Sequence, residues 1–180
     1  MLIGFPQLLD KVNEHIDRLD YAREPMNLYE PVKYILALGG KRIRPVMMLM
    51  AYNMYRDDVD KILDPALALE IYHNFTLLHD DLMDNADVRR GKPTVHKRWD
   101  ANTAILSGDV MLSLADVYMS RIDDAYFRQV MATFHQTSIE IAEGQQYDMD
   151  FETRTDVAEQ EYIEMIRLKT SVLLACALKI

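Results

Sequence analysis

A single cysteine, Cys176, stands among 180 residues, so no internal disulfide can form and nothing in the chain asks for an oxidising compartment. Glycine and proline are scarce, at 6 each, which leaves little of the turn chemistry that a many-stranded fold requires. No run of about 18 apolar residues occurs, and the start MLIGFPQLLDKVNEHI has neither the basic opening nor the continuous apolar stretch of a signal peptide. A soluble, cytoplasmic protein without a transmembrane segment is the expectation. Basic residues are outnumbered, 20 Lys and Arg against 29 Asp and Glu, for a formal charge of -9. That balance argues against nucleic acid as a general partner and makes any anion site a local feature.

What is present forms helices. The chain is 49% hydrophobic and 27% charged, with 12 Met beside many Leu, Ala, Ile and Glu, and no alternating strand-like run stands out. An all-α fold in one domain over 1–180 is expected. Phe5, Leu8, Leu9, Val12, Ile16 and Leu19 recur at three- and four-residue spacings, predicting an amphipathic helix from Phe5 to Tyr21. Further helices are predicted from Tyr29 to Leu38, broken by Gly39-Gly40; from Arg44 to Tyr55; and from Asp64, as N-cap with Pro65 in the first turn, to Asp84. Three more run from Ala101 to Arg121, from Asp124 to Phe151 and from Val157 to the end. The stretch Asn85 to Trp99 is a polar loop that carries Arg89, Arg90, Lys92, Lys97 and Arg98. The apolar run Ser171 to Leu178 is followed only by Lys179 and Ile180, without a capping Gly or Pro, which reads as a truncation.

Chemistry concentrates in His79-Asp80-Asp81-Leu82-Met83-Asp84. Asp80 and Asp84 share one helix face a turn apart and repel unless a cation compensates, and oxygen-only donors with room for water suit Mg²⁺, which takes one or two carboxylates plus substrate phosphates. A solvated acidic helix end is the plainer reading of the aspartates taken alone. Arg89 and Arg90 follow within ten residues, so a diphosphate could be held by metal on one side and by guanidinium on the other.

Gly39-Gly40-Lys41-Arg42-Ile43-Arg44-Pro45 is a second basic constellation, a glycine turn opening a helix whose N-terminus favours anions. A plain basic surface turn remains its alternative. His73 lies two helical turns before Asp80 on nearly the same face. Lys169 and Thr170 interrupt the last apolar helix, and the ammonium of Lys169 either snorkels to the surface or faces a diphosphate. Gln145 and Asp148, three apart, read as a polar patch.

In order, GGKRIRP, IYHNFTLLHDDLMDNADVRRGKPTVH, LSGDVMLSLA, EGQQYDMDF and RLKTSVLLA strongly resemble the trans-isoprenyl diphosphate synthases, or polyprenyl synthetases, of the short-chain type, over nearly the whole chain. The resemblance implies an isoprenoid-synthase-type bundle of mostly antiparallel helices around a deep cavity, truncated here on its C-terminal side, and a homodimer. It implies Mg²⁺ on Asp80 and Asp84, an allylic diphosphate contacted by Arg89 and Lys169 with help from Thr170, and isopentenyl diphosphate held by Lys41, Arg44, His73 and Arg90. Asp80, Asp84, Arg89 and Lys169 would form the catalytic set. Phe75 and Thr76, one turn before Asp80, would floor the cavity and limit products to farnesyl or geranylgeranyl length.

The second aspartate-rich motif of that family is absent up to residue 180. Two expectations therefore stand: an incomplete prenyltransferase chain, or a non-catalytic fragment or subunit that pairs with a complete synthase. Terpene cyclases also use DDxxD but would leave Lys41, Arg44 and Arg90 idle. A helical phosphohydrolase built on the His79-Asp80 pair would leave Asp84, Arg89 and Arg90 unexplained.

Overall fold

A computed structural model describes residues 2–19 and 23–180. The chain divides into two compact units, one reaching Arg121 and one running from Ile122 to Ile180.

The first unit holds α1 (Phe5–Asp17), α2 (Met26–Ala37), α3 (Ile43–Asn53), a 3₁₀ turn (Val59–Ile62), α4 (Leu63–Met83), a short hairpin of β1 (Val88–Arg89) and β2 (Lys92–Pro93), α5 (Val95–Arg98) and α6 (Ala101–Met119). In α1 the buried face is Leu8, Val12 and Ile16, the stripe that the sequence spacing predicts. The helix stops at Asp17, and its expected end at Tyr21 lies outside the described residues. Helix α2 begins at Met26, three residues before the predicted start, because the extended backbone of Pro25 supplies the N-cap and leaves Pro31 inside the helix.

Helix α4 is the centre of the unit, with every residue from Pro65 to Tyr72 buried. A helix apolar on all sides belongs inside. Its start differs from expectation: Asp64 is not the N-cap, because the 3₁₀ turn runs straight into the helix and puts Ile62 there. Asp64 instead sits in the first turn, at the positive end of the helix dipole. It accepts from Arg121 Nη1 at 3.0 Å and pairs with His15 Nε2 at 2.6 Å.

Helix α6 packs antiparallel to α4, since Asp64 meets Arg121 at one end while His79 meets Ile105 and Gly108 at the other. Gly108 permits the approach, because a Cβ there would stand 2.1 Å from His79 Nε2. Ser107 ties α6 to α2 by donating to the Leu28 carbonyl at 3.0 Å.

The loop expected between Asn85 and Trp99 is folded. Val88 faces Pro93 and Arg89 faces Lys92 in an antiparallel ladder that turns at Arg90 (φ 52°) and Gly91 (φ 77°). Two successive positive φ values make the two-residue hairpin turn that matches strand twist. Tyr34 donates its hydroxyl to the Pro93 carbonyl at 2.7 Å, and the Arg98 guanidinium lies 4.3 Å from the Tyr34 ring centroid.

The second unit contains α7 (Asp124–Phe151), α8 (Glu159–Ile166), a π turn (Arg167–Ser171) and α9 (Val172–Lys179). Asp123 caps α7 by accepting from Ala125 N–H at 2.9 Å, so the helix spans the range that the sequence predicts. The single last helix expected from Val157 is two helices joined by the π turn. Gly144 lets α7 meet that turn, since a Cβ on Gly144 would lie 2.3 Å from the Lys169 amide nitrogen. Among the described residues no helix is long and apolar enough to cross a membrane.

Candidate active site

The last turn of α4 divides its three aspartates. Asp84 N–H donates to the Asp80 carbonyl at 2.9 Å, so these two side chains stand one turn apart, with the Asp80 side chain 20% exposed and Asp84 open to solvent. Both carboxylates occupy the negative end of the helix dipole, where an anion is unfavourable by about 0.3–1 kcal/mol. Asp81 faces inward at 3% exposure and accepts from Arg89 Nε at 2.7 Å and Nη2 at 2.8 Å. The pair to Asp81 raises the pKa of Arg89, and Arg89 Nη2 also stands 3.7 Å from Asp80 Oδ2. Adjacent residues on a helix point about 100° apart, so the motif yields two outward carboxylates and one clamp. Asp81→Asn is expected to cost about 2 kcal/mol in urea unfolding, because it weakens a nearly buried charge-assisted pair. Asp80→Ala, which relieves repulsion, should stay within about 0.5 kcal/mol of the parent.

A cluster of cations forms where the glycine turn meets α4 and the hairpin. Gly40 (φ 144°) lies under the guanidinium of Arg90, and a Cβ there would come 2.9 Å from Nη2. Arg42 (φ 48°) is the N-cap of α3 and turns inward at 4% exposure, donating from Nη1 to Glu70 Oε1 and from Nη2 to the Leu36 carbonyl, both at 2.6 Å. Glu70, 2% exposed, also accepts from Asn74 Nδ2 at 2.9 Å. Arg44 is half-buried, its Nε sealed without a hydrogen-bond partner, and burial lowers its pKa against the pull of Glu70. Arg90 is lowered by burial and by the charge of Arg42. His73 feels them all: burial, then Arg44, Arg90, Arg89 and Arg42 bring its pKa down to about 3. So many cations around one neutral imidazole, in a chain of charge -9, is an arrangement that an anion would relieve. Lys41 stands exposed beside it.

Phe75 and Thr76 lie a turn before Asp80. The Phe75 ring meets Tyr72 and His79 edge-on, with centroids 5.4 and 4.8 Å away, and Thr76 donates back to the His73 carbonyl at 2.8 Å. In the second unit Lys169 sits in the π turn, and its Nζ reaches Asp148 Oδ2 at 2.5 Å. Neither sequence reading of Lys169 included this internal carboxylate, and Asp148 is an ion-pair partner rather than part of a plain polar patch. Thr170 is exposed. Single π turns inside helices recur at functional sites.

A profile of the polyprenyl synthetase family matches residues 25–180. The chain belongs to the polyprenyl synthetase family. This polyprenyl synthetase chain is 44% identical over 171 residues to the geranylgeranyl diphosphate synthase of Methanosarcina mazei, covering 94% of the chain and 53% of that protein. It is 41% identical to the geranylfarnesyl diphosphate synthase of Natronomonas pharaonis, covering 94% of the chain and 55% of the relative. Its fold matches a crystal structure of a geranylgeranyl pyrophosphate synthase with a TM-score of 0.93 and 49% identity, over 98% of this chain and 54% of that one. The geranylgeranyl pyrophosphate synthetase of Geoglobus acetivorans matches with a TM-score of 0.93 and 39% identity, over 97% of this chain and 57% of that one. The all-α class expected from the sequence is the isoprenoid-synthase fold. The chain spans about half the length of the curated relatives it matches.

Within this polyprenyl synthetase chain, the first unit brings Asp80, Asp84 and Arg89 to one end of α4 and gathers Arg44, His73 and Arg90 beside Glu70. Lys169 and Thr170 belong to the second unit. Among the described residues no group of three or more His, Cys, Asp or Glu forms a metal cage. Mg²⁺ asks for less, one or two carboxylates completed by phosphate and water. The outward, oxygen-only pair at the negative end of α4 fits that demand.

Proposed function

We propose that this chain carries the diphosphate-binding half-site of a Mg²⁺-dependent prenyltransferase that joins isopentenyl diphosphate to an allylic diphosphate. The observation that supports it most is the meeting of the glycine turn with the hairpin, where the Arg90 guanidinium rests on Gly40 in the turn that leads to Arg44, while Arg89 stands 3.7 Å from Asp80 of the outward pair. In this reading Asp80 and Asp84 hold Mg²⁺, which when bound neutralises the charge on the departing diphosphate. Arg89, kept in place by Asp81, contacts the allylic diphosphate, a role that the family resemblance gives to Lys169 and Thr170 as well. Lys41, Arg44, His73 and Arg90 hold isopentenyl diphosphate, with the ring of His73 donating a hydrogen bond.

The allylic carbon–oxygen bond breaks with its electron pair leaving on diphosphate, and the alkene of isopentenyl diphosphate attacks the resulting cation. Loss of a proton to the released diphosphate gives an allylic product five carbons longer. Electrostatic stabilisation of the leaving group is the protein's main contribution to the rate. Phe75 and Thr76 set product length near farnesyl or geranylgeranyl diphosphate. Residues 1–180 as the N-terminal part of a single polyprenyl synthetase domain, a cytoplasmic location and a homodimer belong to the same reading.

The second reading, a non-catalytic fragment or subunit that pairs with a complete synthase, draws on the half-length match to the relatives. Calorimetry with farnesyl diphosphate tests the site. Binding that requires Mg²⁺, and that Asp80→Ala weakens by roughly tenfold, the value of one charge-assisted contact, supports it; binding indifferent to Mg²⁺ and to Asp80 overturns it. Turnover of labelled isopentenyl diphosphate separates the two readings: product assigns the reaction to the chain, and metal-dependent binding without product assigns it the subunit role.

A further inference from the structure

Arg42 is out of keeping with its neighbours. Lys41 is exposed and Arg44 half-exposed, whereas Arg42 is buried with a left-handed backbone that residues bearing a Cβ rarely adopt. Such a conformation persists only where the surroundings over-determine it. Here they do, since Nη1 is fixed by Glu70 and Nη2 by the Leu36 carbonyl, while Glu70 is itself held by Asn74. The same turn carries Gly40, on which the Arg90 guanidinium rests, and leads two residues later to Arg44.

We propose that Glu70 is a positioning residue for the anion site: by locking Arg42 in its left-handed turn, it fixes where Arg44 and Arg90 stand relative to each other. This rests on the reading that these guanidiniums take a diphosphate. The role runs against simple Coulomb attraction. Glu70 is an acidic group beside Arg44 and Arg90, so if charge alone mattered, removing it would strengthen anion binding. If Glu70 positions the turn, removing it weakens binding, and most of all the discrimination of a two-phosphate anion from a single phosphate, which depends on the spacing of the guanidiniums.

The test measures binding of inorganic pyrophosphate and of orthophosphate by calorimetry in EDTA, where the aspartate pair has no cation to recruit. Glu70→Gln is expected to weaken pyrophosphate about tenfold, the effect typical of losing a supporting partner, and to shrink its preference over orthophosphate. A buried Arg left without its partner can unfold a protein, so the double variant Arg42→Met with Glu70→Leu provides the second arm. It keeps the net charge of the cluster and replaces the pair with apolar side chains, a change that buried ion pairs often tolerate. The same loss of discrimination is expected from it. A folded double variant that retains the wild-type preference for pyrophosphate overturns the positioning role alone, as does a tighter Glu70→Gln. A wild-type chain that binds pyrophosphate no better than orthophosphate overturns the anion site itself, and this inference with it.

Discussion

Gly144→Ala is expected to destabilise the chain by about 3 kcal/mol, the upper range for forcing extra atoms into a packed interior. Alanine favours helix over glycine by about 1 kcal/mol, so propensity alone predicts the opposite sign. Packing decides it: the added Cβ would stand 2.3 Å from the Lys169 nitrogen, 2.7 Å from the Leu168 carbonyl carbon and 2.8 Å from Leu168 Cβ. Two of these are backbone atoms and cannot rotate away. Relief requires the π turn to withdraw from α7, and Lys169 would leave Asp148 with it. Urea unfolding followed by circular dichroism reads the stability, and hydrogen exchange of amides 159–179 reads the local opening. Gly108→Ala is the control, because the obstacle there is the far end of the His79 ring, a side chain that can turn. A Gly144→Ala protein as stable as the parent would refute the close approach of α7 and the π turn.

The helices were legible where a local pattern carries them. Leu8, Val12 and Ile16 mark the buried face of α1, because a stripe is a property of a few consecutive residues, whereas the cap expected at Asp64 is displaced by the 3₁₀ turn that runs into α4. The outward pair Asp80 and Asp84 was legible for the same reason. The hairpin was not, since its left-handed first turn position holds Arg90 rather than the usual asparagine or aspartate.

Partners distant in sequence were hidden as well, but they left traces. Glu70 is the one charge in the buried run from Pro65 to Tyr72, and a carboxylate in such company needs a cation; Arg42, 28 residues earlier, supplies it. Two adjacent aspartates cannot share a helix face, so Asp81 had to turn away from Asp80. Lys169 inside an apolar helix posed the same question as Glu70, and Asp148 answers it. Local pattern gives the elements, while buried charge in an apolar context gives the long-range pairings only to a reading that asks each one for its partner.

His73 should make the chain acid-sensitive well above the range where carboxylates titrate. Its pKa of about 3, against an ordinary 6.5, follows from burial first and then from Arg44, Arg90, Arg89 and Arg42. The unfolded chain takes up a proton on this residue as pH falls through 6.5, and the folded chain does not until about 3. Between those values the unfolded state binds more protons, so stability is full above pH 6.5 and declines by about 1.4 kcal/mol per pH unit below it. By pH 5 the loss is about 2 kcal/mol. His73→Gln cannot take up the proton and should flatten the curve, gaining on the parent by that amount between pH 8 and pH 5 in paired urea titrations. Carboxylates titrate in both proteins and cancel in the difference. The sign reverses once the guanidinium field is neutralised: pyrophosphate bound in the cluster favours the charged ring, so binding draws a proton onto His73 and tightens as pH falls. Proton uptake measured by calorimetry in buffers of different ionisation enthalpy would report it, and its absence in His73→Gln would assign it to this ring. A His73 resonance that titrates near 6.5 in the free protein would mean that the four guanidiniums do not converge on it.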